Sequence, residues 1–229
     1  MKERKDYSGY LISFEGPDGA GKITMAEYLE RAIDDLYLPV LYLREPGGTR
    51  IGEKIRDILK DPENRDLTPR TEALLFQAAR AQLSEQVIWP SLRAGRIVIL
   101  DRFRDSSEAY QGVARGLGID KINFLNDWST GGLIPDLTFL LDLDESRGLE
   151  RKINQREASR FEDMERVFHR QVREAYLELA RADKEDRWFV VDASLPPEIV
   201  QGLIRKEAVR RLSAAGILEG VNPRKEARF

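Results

Sequence analysis

The chain has 229 residues, of which 41% are hydrophobic and 34% are charged, a balance typical of a globular protein and not of a disordered chain. Lys and Arg total 37 against 40 Asp and Glu, so the net charge is −3 and no global basic field favours nucleic acid as a partner. The absence of cysteine and the presence of one histidine exclude disulfides, thiolate metal sites and multi-histidine metal sites, and favour a cytoplasmic location.

Short apolar runs alternate with longer amphipathic segments along the chain. The predicted strands are residues 10–15, 40–44, 96–100, 137–143 and 188–191. Several are nearly continuous apolar runs, which is typical of parallel strands covered by helices on both faces. We therefore predict an α/β fold, a three-layer, doubly wound sheet of five parallel strands. No apolar run approaches the roughly 18 residues that span a bilayer, so no membrane association is expected.

Helical periodicity predicts the elements between the strands. Thr68 and Pro69 are typical of an N-cap and first helical position, and they open a long helix toward Arg93 that Trp89-Pro90 should kink or end early. His169 is expected to be a partly exposed helix residue. The organisation predicted is one domain over residues 1–212, with a lid at about 147–166 and a tail at 213–229 that is partly ordered at best.

The sequence Gly16-Pro17-Asp18-Gly19-Ala20-Gly21-Lys22 is a candidate phosphate-binding loop, because it follows an apolar strand and precedes an amphipathic helix. Glycines let backbone N–H groups turn toward phosphate oxygens, and the helix N-terminus adds partial positive charge. Lys22 would reach the β- and γ-phosphates of a nucleoside triphosphate. The plain alternative is a glycine-rich turn between a strand and a helix.

One position departs from the phosphate-loop pattern. Ile23 stands where a Ser or Thr hydroxyl normally binds Mg²⁺, and Thr24 follows it. Either carboxylates and waters hold the metal, or Thr24 compensates through a backbone change, or catalysis is weakened. Asp101, at the end of the third predicted strand, is the main candidate Mg²⁺ ligand, with Asp18 as a second.

Six segments resemble bacterial thymidylate kinases in order and spacing: FEGPDGAGK at 14–22, LREPGGT at 43–49, LLFQAARAQ at 74–82, DRFRDSSEAYQG at 101–112, PDLTFLLDL at 135–143 and VDAS at 191–194. The resemblance covers about residues 9–210. It implies a P-loop kinase that transfers the γ-phosphoryl group of ATP to dTMP with Mg²⁺, in dTTP synthesis. It also implies a homodimer packed through long helices, for which the apolar stripe in residues 71–92 is a candidate.

The resemblance assigns an acceptor site residue by residue. Phe76 stacks on thymine and Arg80 approaches a base carbonyl. Arg102 and Arg56 bind the dTMP phosphate, and Asp18 meets the 3′-hydroxyl. The other residues that it places at the substrate are Glu45 and Arg44 near the acceptor or the metal, and Ser107, Tyr110 and Gln111 around the nucleoside.

The resemblance also divides the family by the location of a catalytic arginine. One group carries it in the phosphate loop, at the position of Gly19, and the other in the mobile lid. This sequence is similar to the lid group, and Arg160, then Arg156 and Arg151, are the candidate donors to the transferring phosphate. The plain alternative is a solvated, salt-bridged helix. Ala193, after the last strand, matches the loop that holds adenine.

Three hypotheses remain open from the sequence. The first is an active dTMP kinase. The second keeps the fold but changes the acceptor to another nucleoside monophosphate, although a purine would need a wider pocket than Phe76, Arg80 and Gln111 suggest. The third is a nucleotide-binding protein with weakened catalysis because of Ile23. Intact Lys22, Asp101 and Arg102 argue against a full loss of catalysis.

Overall fold

The computed structural model describes residues 7–148 and 166–219. Its strands are β1 (Tyr10–Glu15), β2 (Val40–Arg44), β3 (Ile97–Asp101), β4 (Leu137–Asp142) and β5 (Trp188–Asp192). They form one parallel sheet in the order β2-β3-β1-β4-β5. Because the strand order reverses direction beside the central β1, the carboxyl ends of β1 and β3 border the crevice in which such sheets bind ligands. The predicted fold class is confirmed.

Helices cover both faces of the sheet. Their bounds are α1 (Lys22–Asp34), α2 (Arg50–Lys60), α3 (Pro69–Leu83), α4 (Trp89–Arg93), α5 (Arg104–Ser107), α6 (Ile119–Thr130), α7 (Arg166–Ala182) and α8 (Pro197–Ala214). Alternate residues of β1 point to opposite faces: Ile12 and Phe14 pack with α1 and α8, whereas Leu11 packs with α3 and α4. A third apolar cluster joins α7 to β4. Both faces of the sheet are therefore buried, as the continuous apolar runs predict.

The long helix predicted from Thr68 to Arg93 is present but changes its pitch near Pro90. Thr68 caps it by accepting a hydrogen bond from the Thr71 N–H. The segment Ser84–Ile88 forms a wider π turn between α3 and α4. Proline lacks the N–H that an α-helix needs and crowds the preceding turn, and a π bulge accommodates both effects. Trp89-Pro90 thus alters the helix without ending it.

One detail differs from the sequence prediction. His169 is 3% exposed, not partly exposed, because it lies on the same buried face of α7 as Val172 and Tyr176, which pack in the third apolar cluster. The last helix continues to Ala214, and Leu218 beyond it packs on the core formed with α1. No helix within the described ranges is long and apolar enough to cross a membrane.

Candidate functional site

The loop after β1 curls at the N-terminus of α1, as its sequence predicts. Gly21 has a left-handed backbone with φ of 89° and stands directly before the first turn of α1. The Lys22 side chain folds back over the loop, and its Nζ donates hydrogen bonds to the carbonyl oxygens of Gly16, at 3.0 Å, and Pro17, at 2.8 Å. Burial and the charge of Arg102 lower the pKa of the Lys22 amine to about 8. An anion that replaces these carbonyl partners therefore stabilises the charged form of the amine.

Gly19 has no room for a side chain. Its φ is +75°, and a Cβ built on it would collide with the backbone carbonyl oxygen of Gly148, at the start of the predicted lid. A Cβ on Gly148 would in turn collide with the carbonyl oxygen of Asp18. Both positions are therefore restricted to glycine in this conformation.

Arg102 is the centre of a polar network at the carboxyl end of β3. Its φ of 68° is rare for a residue with a side chain and marks a backbone position that the surroundings enforce. Its Nη2 donates to Asp18 Oδ1 at 2.8 Å and to the Tyr110 hydroxyl at 3.1 Å, and its Nη1 donates to Ser106 Oγ at 3.2 Å. The guanidinium also lies 4.9 Å from the centre of the Tyr110 ring. It is held beside the phosphate loop.

Glu15, the last residue of β1, is linked to Arg102 through two hydroxyl groups, those of Ser106 and Tyr176. It is fully buried and accepts hydrogen bonds from Ser106 Oγ at 2.6 Å and from the Tyr176 hydroxyl at 3.0 Å. Those two hydroxyls also lie 2.7 Å from each other, and both accept a hydrogen bond from Arg102 Nη1. Burial and nearby Asp105 raise the pKa of Glu15 to about 8.

One cavity of about 420 Å³ brings most of the predicted site residues together. From the loop and α1 it is lined by Asp18, Gly19, Gly21, Lys22, Ile23 and Thr24. From the other predicted positions it is lined by Glu45, Arg56, Phe76, Arg80, Asp101, Arg102, Ser107, Tyr110 and Gln111. The phosphate loop and the predicted acceptor site therefore share one open space.

Other predicted residues lie elsewhere. Gly16, Pro17 and Ala20 belong to the loop but do not border the cavity. Ala193 also lies away from it, in the turn after β5, where its N–H donates to the Asp142 carbonyl. Arg44 instead pairs with Glu53 at 2.9 Å. The lid candidates Arg151, Arg156 and Arg160 lie outside the described residues.

Arg80 is 1% exposed and is held by four hydrogen bonds. Its Nε donates to Glu45 Oε2 at 2.8 Å, and Nη1 donates to Ser107 Oγ at 2.9 Å and Asn126 Oδ1 at 2.7 Å. Nη2 donates to the Phe103 carbonyl at 2.9 Å. Among the described residues, one N–H of Nη2 has no partner. Because the other N–H groups already hold the guanidinium in place, Arg80 can offer a ligand one donor in a fixed direction.

The metal-ligand candidates differ in what they already bind. Asp101 is 8% exposed, and its Oδ1 is a buried acceptor with no hydrogen-bond partner among the described residues. Asp18 accepts from both Arg102 and the Tyr110 hydroxyl. Ile23, 51% exposed, offers no oxygen ligand. Within residues 7–148 and 166–219, no three carboxylate or histidine side chains cluster as a metal site.

Sequence reasoning missed the residues that hold the site residues in place. Glu15 had a local signal, since a charge ends an otherwise apolar strand directly before the loop. Asn126 and Tyr176 had none, because they approach Arg80 and Glu15 only through the fold, 46 and 161 positions away along the chain. Lys60, at the end of α2, also lines the cavity and was not considered.

Comparison with known proteins gives a consistent result. The family model described as "Thymidylate kinase" matches residues 14–204. A thymidylate kinase of Geobacillus sp. is 50% identical over 84% of this chain and 92% of its own length. One from Symbiobacterium thermophilum is 48% identical over 90% of this chain and 97% of its own. The crystal structure of thymidylate kinase from Ehrlichia chaffeensis superposes with a TM-score of 0.70 at 30% identity, covering 90% of this chain and 99% of that one.

Proposed function

The chain belongs to the thymidylate kinase family, and we propose that it transfers the γ-phosphoryl group of ATP to dTMP, giving dTDP and ADP. The observation that carries the proposal is the shared cavity. Its lining combines the phosphate loop with an aromatic ring, a fixed guanidinium and an amide. An aromatic face with a donor and an acceptor suits a pyrimidine base, whereas the loop suits a triphosphate.

The reaction needs positioning and charge neutralisation and no covalent intermediate. We assign Lys22 to the phosphates of ATP, since its amine is buried in the loop. Arg102 and Arg56 hold the acceptor phosphate. Arg56 lines the cavity and donates to the Pro46 carbonyl at 2.7 Å, while burial and Arg44 lower the pKa of its guanidinium. Tyr110, whose pKa burial raises, remains a neutral donor to Asp18.

The residues that line the cavity can supply part of the coordination of Mg²⁺. The unpartnered Oδ1 of Asp101, buried at the cavity wall, is a suitable carboxylate ligand, and Ile23 contributes none. We propose that Asp101 is the main protein ligand and that nucleotide oxygens and water complete the coordination. When bound, the ion supplies positive charge to the phosphate oxygens.

The remaining features of the proposal extend beyond the cavity. We propose that residues 1–212 form one catalytic domain in the cytoplasm, whose lid at about 147–166 supplies Arg160 to the transferring phosphate. We also propose a homodimer through α3 and α6. These helices pack together, and Leu74, Phe124 and Trp128 on them are 55%, 70% and 79% exposed. Large exposed apolar side chains that lie close together are typical of protein interfaces.

ADP formation from ATP and Mg²⁺ tests the proposal, with dTMP, dUMP, dCMP, AMP and GMP as acceptors. We expect turnover with dTMP well above turnover with the other four. The same assay on Ile23→Thr shows whether a hydroxyl at this position raises the response to Mg²⁺. Turnover only with a purine acceptor would refute the proposal. A flat response to every acceptor, rescued by Ile23→Thr, would instead assign weakened catalysis to Ile23.

A further inference from the structure

Glu72 is a buried carboxylate to which the proposed function assigns no role. It stands in the first turn of α3, on the same face as Phe76 and Arg80, at successive spacings of four residues. It is 0% exposed. Arg115, directly after the π-helical segment Glu108–Ala114, donates two hydrogen bonds to this carboxylate. Its Nη2 donates to Oε2 at 2.8 Å, and its Nε donates to Oε1 at 3.3 Å. A fully buried carboxylate is costly to retain, and this one has a specific neighbour.

That neighbour is Gln111, which lines the cavity. Its Nε2 donates to Glu72 Oε1 at 2.9 Å. An ionised carboxylate only accepts hydrogen bonds, so Gln111 must turn its NH₂ group toward Glu72 and its carbonyl oxygen away. Within the described part of the chain, that oxygen accepts no hydrogen bond. Glu72 therefore determines which end of the Gln111 amide a ligand meets.

We propose that Glu72, held by Arg115, is a specificity-determining positioning residue that fixes Gln111 as an acceptor for a ring N–H of the base. The inference rests on the proposed function, since it concerns the base of the acceptor nucleotide. Arg80, which lines the same cavity as Gln111, has one donor N–H left for a ligand. A donor next to an acceptor matches a pyrimidine with a 4-carbonyl and an N3–H. Cytosine presents the reverse pattern, an acceptor at N3 and an amino group at C4, and leaves both protein groups unpaired.

The test compares dUMP with dCMP, because neither carries the 5-methyl group and the pair differs only in the edge read by Gln111 and Arg80. The readout is the ratio of kcat/KM for dUMP to that for dCMP. Glu72→Gln offers Gln111 both a donor and an acceptor, so the amide is free to turn. We expect this ratio to fall by about tenfold in the variant. A merely structural lesion lowers both constants and leaves the ratio unchanged.

Controls separate this inference from the proposed function. Glu207→Gln, at a buried glutamate paired with Arg210 and Arg211 on α8, should leave the ratio unchanged. If Glu72→Gln fails to fold, as judged by circular dichroism, Arg115→Met releases the same clamp and should lower the ratio in the same direction. A wild-type preference for dUMP that persists in the folded variant overturns the role of Glu72. Wild-type protein that uses neither dTMP nor dUMP overturns the proposed function instead.

Discussion

Lys22 should take up a proton when nucleotide binds. Burial and Arg102 lower the pKa of its amine to about 8, whereas phosphate oxygens at Nζ favour the charged form. Free protein at pH 8 therefore carries about half a proton on this amine, and nucleotide-bound protein carries nearly a whole one. We expect binding of ATP with Mg²⁺ to take up about half a proton at pH 8 and about a tenth at pH 7. Because the bound state has the higher pKa, affinity should fall as the pH rises through 8.

Isothermal titration calorimetry in buffers of different ionisation enthalpy measures this number, since the slope of the observed enthalpy gives the protons exchanged. Lys22→Arg is the matched control, because arginine keeps the charge and does not titrate in this range. It should bind nucleotide without proton uptake at pH 8. Zero uptake by the wild type at pH 8, or equal uptake by the arginine variant, would refute the placement of the lysine amine at the nucleotide.

Three further outcomes follow from the described contacts and the proposed roles. The pKa of Glu15 is raised from 4.5 to about 8, so the folded state binds more protons in this window. Chemical denaturation should show the free energy of unfolding falling by roughly 3–5 kcal/mol from pH 5 to 8, and less in Glu15→Gln. Trp128→Ser, on the exposed α6 face, should shift a dimer toward monomer in sedimentation velocity, and an unchanged mass would contradict the proposed interface. Arg160→Ala should lower kcat by roughly 10³-fold or more with nucleotide affinity nearly unchanged, and an unaltered kcat would remove its lid role.

The features predicted well from the sequence are those with local causes. The phosphate loop needs only a strand, glycines and a helix start, and all three lie within residues 10–34. Asp101 and Arg102 end an apolar strand, and the parallel sheet brings that strand end beside β1. The paired register of Phe14 and Asp101 then places both carboxyl ends at one edge.

The features that were missed depend on contacts between distant elements. His169 lies on a helix with many charges, so local composition indicates exposure, whereas the packing of α7 decides its burial. Asn126 joins Arg80 to Gln77 because α6 packs on α3. In the sequence, Glu72 is an ordinary acidic residue in a first helical turn. Its contacts with Arg115 and Gln111 form only through the fold. Motifs indicate candidate ligand-binding groups, but not the groups that orient them.

The contact between Gly19 and Gly148 has an evolutionary consequence. In this conformation an arginine cannot be placed at residue 19 of the phosphate loop by a single substitution, since a Cβ there meets a peptide oxygen. No side-chain change at residue 148 clears the way, because the obstructing atom belongs to the backbone and glycine is already the smallest residue. A side chain at residue 19 therefore requires a different backbone path near residue 148. An insertion or deletion near residue 148 is the expected accompanying change in a relative that carries a side chain at this loop position.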